Sequence, residues 1–304
     1  MADGSTSTRI AASERAFLVW LLPAAIAAAA SFAVAILNDG DTFWHLAAGR
    51  WMLAHRTVLS TDPFSYIFAG HPWTTQEWLS EVFMALAYRA AGWAGVMLLT
   101  GLAVGALAAA MSAWLLRWLS PLAALVALAL GFGLVAPSLL ARPHLLALPL
   151  LAIWTCGLLD ARARRSAPAP ALILLMALWA NMHSSFIVAL GLAAAFGLEA
   201  ALDIKAWRRR TLLGWAAFVA ASLIAALATP HGLSGLAFPL RVMDMKVLGV
   251  IDEWRPANFA HPSMLEGVLL AGLFLALWRG VRLSAVRTAL ILGLVHASLQ
   301  HARQ

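Results

Sequence analysis

The chain has 304 residues, of which 62% are hydrophobic and 12% are charged, and its mean hydropathy is +0.83. A water-soluble domain of this length would not need so many apolar residues. Long apolar runs recur along the whole sequence, which indicates an all-α, polytopic membrane protein. The formal charge of +7 is better explained by membrane topology than by nucleic acid, so we expect no nucleic-acid partner.

The first apolar run covers residues 16–37, about 22 residues, which is enough to cross roughly 30 Å of hydrocarbon. Arg9 and Arg15 precede it as in a signal peptide. The run is longer than the roughly 7–15 apolar residues of such a peptide, which favours an uncleaved first span. The apolar runs predict nine spans, at residues 16–37, 94–116, 121–140, 144–159, 169–183, 184–202, 211–228, 263–278 and 285–300.

Directly after the first span stands a short acidic segment, Asn38-Asp39-Gly40-Asp41-Thr42-Phe43-Trp44-His45. Its position at the membrane surface suits chemistry on a substrate that is itself half lipid. His45 follows Asp41 by one helical turn, so the two side chains share a helix face, where His45 could contact a phosphate or orient the carboxylate. The alternatives are an aspartate that caps the helix starting near Thr42 and a plain interfacial histidine.

Residues 76–90 carry Glu77, Glu81 and Arg89 among apolar residues that recur three and four positions apart. This spacing predicts an amphipathic helix, bounded by Gly92, that lies on the membrane surface. A full span here would place the basic residues at 162–165 on the outer side.

With the N-terminus in the cytoplasm, the basic clusters all fall on the cytoplasmic side, as the positive-inside rule requires. The same topology places all nine histidines on or near the outer face, although they take no part in setting it. Two outer segments are long, at residues 38–93 and 229–262. We expect one functional face at the outer surface of a single domain that covers residues 1–304.

Several motifs in the outer segments resemble those of the GT-C superfamily, integral-membrane glycosyltransferases that use polyprenyl-phosphate sugars, and most closely an uncharacterised bacterial branch. The first loop reads Asp41-Thr-Phe-Trp-His45-Leu-Ala-Ala-Gly49-Arg50, then Asp62-Pro63-Phe64-Ser65-Tyr66, Gly70-His71-Pro72-Trp73 and Glu77-Trp78-Leu79. Later steps are Arg142-Pro143-His144, Trp179-Ala-Asn181-Met-His183 and Glu253-Trp254.

The resemblance implies a bundle of many helices in the bacterial inner membrane, with the active site on the periplasmic face. It implies that a first-loop aspartate acts as catalytic base or metal ligand. Asp41 matches that position and Asp39 is its neighbour, so the two could also share Mg²⁺ or Mn²⁺. The expected partners are a polyprenyl-phosphate sugar, membrane lipids and a glycan or protein acceptor. Relatives continue into further spans past Gln304, so we expect either a fragment or a truncated relative.

The other candidate binding residues lie near span ends. Arg142 suits a phosphate, which guanidinium binds in a bidentate way, although an arginine reaching to the membrane surface is an equal alternative. His144, Asn181 and His183 are functional candidates because polar groups in membranes are costly, but interhelical hydrogen bonds would also explain them. Glu253 could bind an acceptor sugar beside Trp254, an indole that would equally serve as a membrane anchor.

These residues favour a glycosyltransferase that inverts the anomeric carbon. A transporter would place ionisable groups near the bilayer midplane and show internal repeats, and the sequence shows neither pattern. A GT-C relative without catalytic activity is the third possibility. Gly101 and Gly105 have the spacing typical of closely packed helices.

Overall fold

The computed structural model describes residues 13–203, 209–245, 248, 250–251 and 254–300. Within these ranges every regular element is a helix, and one isolated antiparallel bridge joins Thr61 to Pro72. The α-helices are α1 Ser13–Phe32, α2 Asp41–His55, α3 Trp78–Leu115, α4 Pro121–Val135, α5 Pro143–Ala163, α6 Ala171–Met182, α7 Phe186–Leu202, α8 Arg209–Ala226, α9 Gly232–Met243, α10 Met264–Trp278 and α11 Ala285–Gln300. The predicted all-α class is confirmed for the described residues.

Five helices are long and apolar enough to cross a membrane: α1, α3, α4 with its extension to Ser138, α5 and α8. The helices α6, α7, α9, α10 and α11 are apolar but shorter. Large apolar side chains on several helices point away from the protein, including Phe32, which is 83% exposed, and Leu174, which is 75% exposed. Exposed apolar surface on this scale is what lipid tails cover. The chain is therefore a helical membrane protein.

The helices follow the predicted apolar runs, with differences at their ends. The first run was predicted to be helical to residue 37, but α1 ends at Phe32 and a 3₁₀ turn, Val34–Leu37, follows it. The runs at 76–90 and 94–116 join into the single 38-residue helix α3, which is broken at Ala91 and Gly92. Gly92 has φ 58° and ψ −143°, a conformation that side chains with a Cβ rarely adopt. The predicted boundary at Gly92 is thus a kink, and the placement of the first half of α3 on the membrane surface stays a prediction.

The long helix α3 is the centre of the packing, since α1, α2 and α5 all lie against it. Close approach of α1 depends on two glycines of α3. A Cβ added to Gly101 would lie 2.5 Å from the carbonyl oxygen of Ala27, and one added to Gly105 would lie 2.6 Å from the Cβ of Ala27. The predicted role of these glycines in helix packing is confirmed.

A second group of helices, α5 to α8, encloses the main hydrophobic core. Three tryptophans are completely buried there, and each indole N–H has an acceptor: Trp154 donates to the carbonyl of Ala189, Trp179 to the hydroxyl of Ser185 and Trp215 to the carbonyl of Ser166. Such bonds matter because a buried polar group without a partner costs free energy. The core holds the ends of α5 and α6 in place, and these ends carry the candidate site.

Candidate functional site

Polar side chains from four parts of the chain converge at one end of the helices. We call this group the polar cluster. Its members are Asp39, Asp41, His45, Glu77, Glu81, Arg142, His144 and His183. Six of the eight predicted site residues belong to it, all but Asn181 and Glu253. The start of α2, the start of α3, the start of α5 and the end of α6 meet there.

Arg142 lies between the two candidate aspartates. Its Nη2 is 2.5 Å from Oδ1 of Asp39, its Nε also contacts Asp39, and its Nη1 is 3.1 Å from Oδ2 of Asp41. The Asp39 side chain is 6% exposed, whereas that of Asp41 is 48% exposed. The two carboxylates therefore differ: Asp39 is enclosed with the guanidinium, and Asp41 presents a free side to solvent.

The backbone explains this arrangement. Arg142 is extended, with φ −124° and ψ 160°, as expected for a residue that precedes proline. The N–H of Ala141 donates to the carbonyl of Ile36 over 2.9 Å, which brings the segment before α5 alongside the segment before α2. Asp39 Oδ1 also accepts from the backbone N–H of Asp41 over 3.3 Å. The N-cap of α2 is Gly40 and no side-chain bond caps this helix, so neither aspartate takes the capping role that was the alternative interpretation.

The predicted metal ligands, Asp39 and Asp41, have the Arg142 guanidinium between them. In the part of the chain that the structure describes, no group of three or more His, Cys, Asp or Glu side chains is arranged to hold a metal ion. As they stand, these residues do not fit a dication, because the arginine already supplies positive charge at that position. A divalent cation therefore stays a prediction.

Beside Asp39, Arg142 and Asp41 lies a row of alternating imidazole and carboxyl groups. Its members, in order, are His183, Glu77, His45 and Glu81. His183 Nε2 is 3.0 Å from Oε1 of Glu77, Glu77 Oε2 is 3.8 Å from Nε2 of His45, and His45 Nδ1 is 3.0 Å from Oε1 of Glu81. The ring of Trp44 covers His45, with ring centroids 3.7 Å apart. His45 is therefore enclosed, while Glu77 and His183 each keep about one-fifth of the side chain exposed.

Two close contacts position this row. At Gly49 the helix α2 touches the backbone of α3, since an added Cβ would lie 2.0 Å from the carbonyl oxygen of Glu81. At the end of α6, Gln76 Nε2 donates to the carbonyl of Ala180 and the hydroxyl of Ser80 donates to that of Met182. Carbonyls at a helix end lack intrahelical partners, so these bonds fix the start of α3 against α6.

Burial shifts the pKa of the groups in the row that lie outside the spanning helices. Burial lowers the pKa of His45 to about 3, with the Arg142 charge acting in the same direction. Burial lowers the pKa of His183 to about 3 as well, helped by His144. Burial raises the pKa of Glu77 to about 8 against the opposing effect of Arg142. At neutral pH the two imidazoles are uncharged and Glu77 carries a proton.

The remaining candidates have structural partners. His144 Nε2 lies 2.7 Å from the carbonyl oxygen of Ser138, and its ring centroid is 6.2 Å from that of His183. Asn181 joins three segments: it accepts from the indole of Trp78 and donates to the carbonyls of Ala177 and Ala228, each over 2.8 Å. This geometry is the interhelical hydrogen bonding that was the alternative to a substrate-binding role for Asn181. Glu253 lies outside the described residues.

The second motif of the first loop forms a turn. Asp62 Oδ1 accepts from the backbone N–H groups of Phe64 and Ser65 over 2.8 and 3.0 Å. A hydrogen bond from the Ser65 side chain, together with these backbone bonds, lowers the pKa of Asp62. Gly70 has φ 79° and donates to the carbonyl of Asp62, which closes the loop. Asp62 and Gly70 therefore shape the loop that leads to the start of α3.

Sequence reasoning missed Glu77 and Glu81 as members of the site. Two features of the sequence could have indicated them. Their spacing of four residues places both on one helix face, and Glu81 lies within an otherwise apolar stretch, where an ionisable residue is costly. Their partners, His45 and His183, are distant in sequence, so the pairing depends on tertiary packing.

No family model, curated protein or solved structure matches the chain. The fold and the cluster together define its class: a helical membrane protein with a partly buried, mixed-charge cluster of acids, imidazoles and a guanidinium at one end of its helices.

Proposed function

We propose that the chain is a GT-C-type membrane glycosyltransferase, a GT-C-like bundle of about nine spans in the bacterial inner membrane. The N-terminus would be cytoplasmic and the polar cluster periplasmic. The donor would be a polyprenyl-phosphate sugar, and the acceptor a lipid-linked glycan, polysaccharide or protein. The resemblance of the first loop supports this proposal, and so does the meeting of Asp41 with Arg142.

The observation that carries the proposal is the pairing of a half-exposed carboxylate with a guanidinium beside apolar helices. Asp41 Oδ2 lies 3.1 Å from Arg142 Nη1. In a lipid-phosphate glycosyltransferase, a base must take the proton of the acceptor hydroxyl and a positive group must stabilise the leaving phosphate. Asp41 and Arg142 supply these two groups side by side.

In the proposed reaction the acceptor oxygen attacks the anomeric carbon while its proton passes to Asp41. The bond between that carbon and the phosphate oxygen breaks, and the polyprenyl phosphate leaves beside Arg142 with inversion at the carbon. A donor phosphate would compete with Asp41 for Nη1 of Arg142. Donor binding would therefore free Asp41 to act as base, while Asp39 keeps the guanidinium in place.

The test is incubation of the purified protein with a panel of polyprenyl-phosphate sugars, with and without Mg²⁺ or Mn²⁺. Sugar transfer should occur, and Asp41→Asn should abolish it because an amide cannot take the proton. The exposed Asp244, far along the chain in the turn after α9, provides Asp244→Asn as a matched control with unchanged transfer. Unaltered transfer by Asp41→Asn would remove Asp41 from the mechanism, and no transfer from any donor would favour a non-catalytic relative.

A lipid or glycan transporter is the second candidate. Glu81 favours it, since an ionisable side chain that is 1% exposed within an apolar helix is typical of proton-coupled transport. Reconstitution in liposomes separates the two functions, because a transporter moves labelled lipid-linked sugar across the bilayer without forming a new glycosidic bond.

A further inference from the structure

The row that ends at Glu81 contains an unusual carboxyl group. Glu81 is 1% exposed, and its Oε1 faces Nδ1 of His45 at 3.0 Å. Its other oxygen, Oε2, is buried and has no hydrogen-bond partner among the described residues. An ionised carboxylate with one bare oxygen in an apolar interior is costly, whereas a neutral acid with a bare carbonyl oxygen costs much less. Glu81 is therefore a neutral acid that donates from Oε1 to His45 Nδ1.

At the other end of the row, hydrogen bonds fix the tautomer of His183. The indole N–H of Trp179 donates to Ser185 Oγ over 3.0 Å, and that hydroxyl donates to His183 Nδ1 over 2.8 Å. The backbone N–H of Ser185 also donates to the same nitrogen. His183 Nδ1 is thus an acceptor, so its Nε2 carries the hydrogen and donates to Oε1 of Glu77.

His45 stands between the two glutamates with its ring nitrogens facing opposite ways. Because Nδ1 accepts from Glu81, the neutral ring carries its hydrogen on Nε2, and Nε2 lies 3.8 Å from Oε2 of Glu77. That separation is about 1 Å longer than a hydrogen bond, so a small side-chain rotation or one bridging water completes the contact.

We propose that Glu81, His45 and Glu77 form a proton relay between the interior of the bundle and the exposed side of the polar cluster. When Glu77 is in its ionised form, the O–H bond of Glu81 breaks as an N–H bond forms at Nδ1 of His45. The Nε2–H bond of His45 breaks as an O–H bond forms at Oε2 of Glu77. One proton moves from Glu81 to Glu77, and no other reactant takes part.

The surroundings of Glu77 suit the outer end of such a relay. Its oxygens contact His45 from α2 and His183 from the end of α6, and the charges of Asp41 and Arg142 act on it. His144, at the start of α5, lies against His183, and Glu81 is one turn along α3. Burial holds the pKa of Glu77 near 8, so it can gain or lose a proton close to neutral pH.

The test measures exchange of the buried proton by infrared spectroscopy of the purified full chain in lipid nanodiscs. Glu81→Gln identifies the carbonyl band of the neutral Glu81 acid. After a change to D₂O, this band should shift rapidly in the wild type. His45→Gln keeps a hydrogen-bonding side chain but cannot pass a proton onward, so exchange at Glu81 should slow at least tenfold.

Glu77→Gln should slow the exchange similarly, which keeps the test valid if His45→Gln fails to fold, and Asp244→Asn should exchange as the wild type does. Equal exchange rates in the wild type and in Glu77→Gln, or the absence of a Glu81 acid band, would overturn the relay. No donor or acceptor is present, so the outcome is independent of whether the protein transfers sugar. A transferase whose Glu77→Gln variant exchanges normally would refute the relay alone.

Discussion

Arg142 neutralises a carboxylate that water barely reaches. Asp39 is 6% exposed and receives both Nε and Nη2 of the arginine. Removing one partner of a buried ion pair leaves an uncompensated charge, which typically costs about 3–5 kcal/mol. We expect Arg142→Ala to lower the free energy of unfolding by about that amount, measured by thermal or denaturant unfolding in detergent.

A paired variant separates this structural role from phosphate binding. Asp39→Asn combined with Arg142→Gln leaves two neutral groups that can still hydrogen-bond, so it should recover most of the lost stability. Donor binding should stay weak in this double variant, because the positive charge is gone. The rise in KM should therefore exceed the fall in kcat. If the double variant is stable and binds the donor normally, Arg142 has a structural role and does not bind the phosphate.

Protonation of His45, His183 and Glu77 makes the stability of the protein depend on pH. The two histidines and the glutamate act in opposite directions. Folding lowers the pKa of His45 and His183 from 6.5 to about 3, so below pH 6.5 the unfolded chain binds more protons and stability falls with acid. Folding raises the pKa of Glu77 from 4.5 to about 8, so the folded chain keeps a proton that the unfolded chain loses, and stability falls as pH rises to 8.

Glu81, which is also a neutral acid in the folded protein, acts in the same direction as Glu77, so stability should fall as the pH rises above 6.5. Between pH 6.5 and 8 the Glu77 effect should remove on the order of 2 kcal/mol, at about 1.4 kcal/mol for each pH unit. Thermal unfolding followed across this range measures the slope. Glu77→Gln has no proton to lose, so it should reduce the loss of stability above pH 6.5 by about that amount and leave the acid side unchanged. A wild type with unchanged stability from pH 6.5 to 8 would contradict the assignment.

At the scale of helices, the contact of α2 with α3 decides whether His45 meets Glu81. Gly49 is the point of contact, since a Cβ there would lie 2.0 Å from a backbone oxygen that cannot rotate away. Gly49→Ala should push the helices apart and destabilise the protein by several kcal/mol. Gly191 in α7 has nothing within 4 Å of an added Cβ, so Gly191→Ala is the matched control.

The control should be neutral or stabilise by up to about 1 kcal/mol, because alanine is the better helix former. Unfolding measurements on both variants give the comparison. If Gly49→Ala is as stable as Gly191→Ala, the close approach of α2 to α3 is wrong, and with it the distance between His45 and Glu81.

The helices themselves could be predicted because their cause is local. The apolar runs predicted the positions of α4, α5, α7 and α8 to within a few residues. The helix boundary predicted at Gly92 is the position of the kink in α3. The pairing of Glu77 with His183 could not be predicted in this way. It depends on hydrogen bonds from Gln76 and Ser80 to carbonyls about one hundred residues further along the chain, and no local pattern encodes that contact.

Over the whole molecule, α5 connects two polar groups of different kinds. It begins beside the polar cluster and ends about 30 Å further on, where Arg162 donates to Glu199 over 2.7 Å. Arg287 and Ser284 also donate to Glu199, over 2.8 and 2.6 Å, which ties α11 to α7. Charges at both ends of an apolar helix are expected if α5 spans the membrane, with the basic end in the cytoplasm.

Cysteine labelling tests this orientation directly. In a Cys156→Ala background, His71→Cys places a thiol on the exposed loop before α3, and Arg164→Cys places one just beyond the end of α5. Both positions are exposed, so a membrane-impermeant reagent should reach His71→Cys only from outside and Arg164→Cys only after the membrane is opened. Labelling of both from the same side would mean that α3, α4 and α5 do not all cross the membrane. The reverse pattern would place the polar cluster in the cytoplasm, where the proposed extracytoplasmic acceptors are absent.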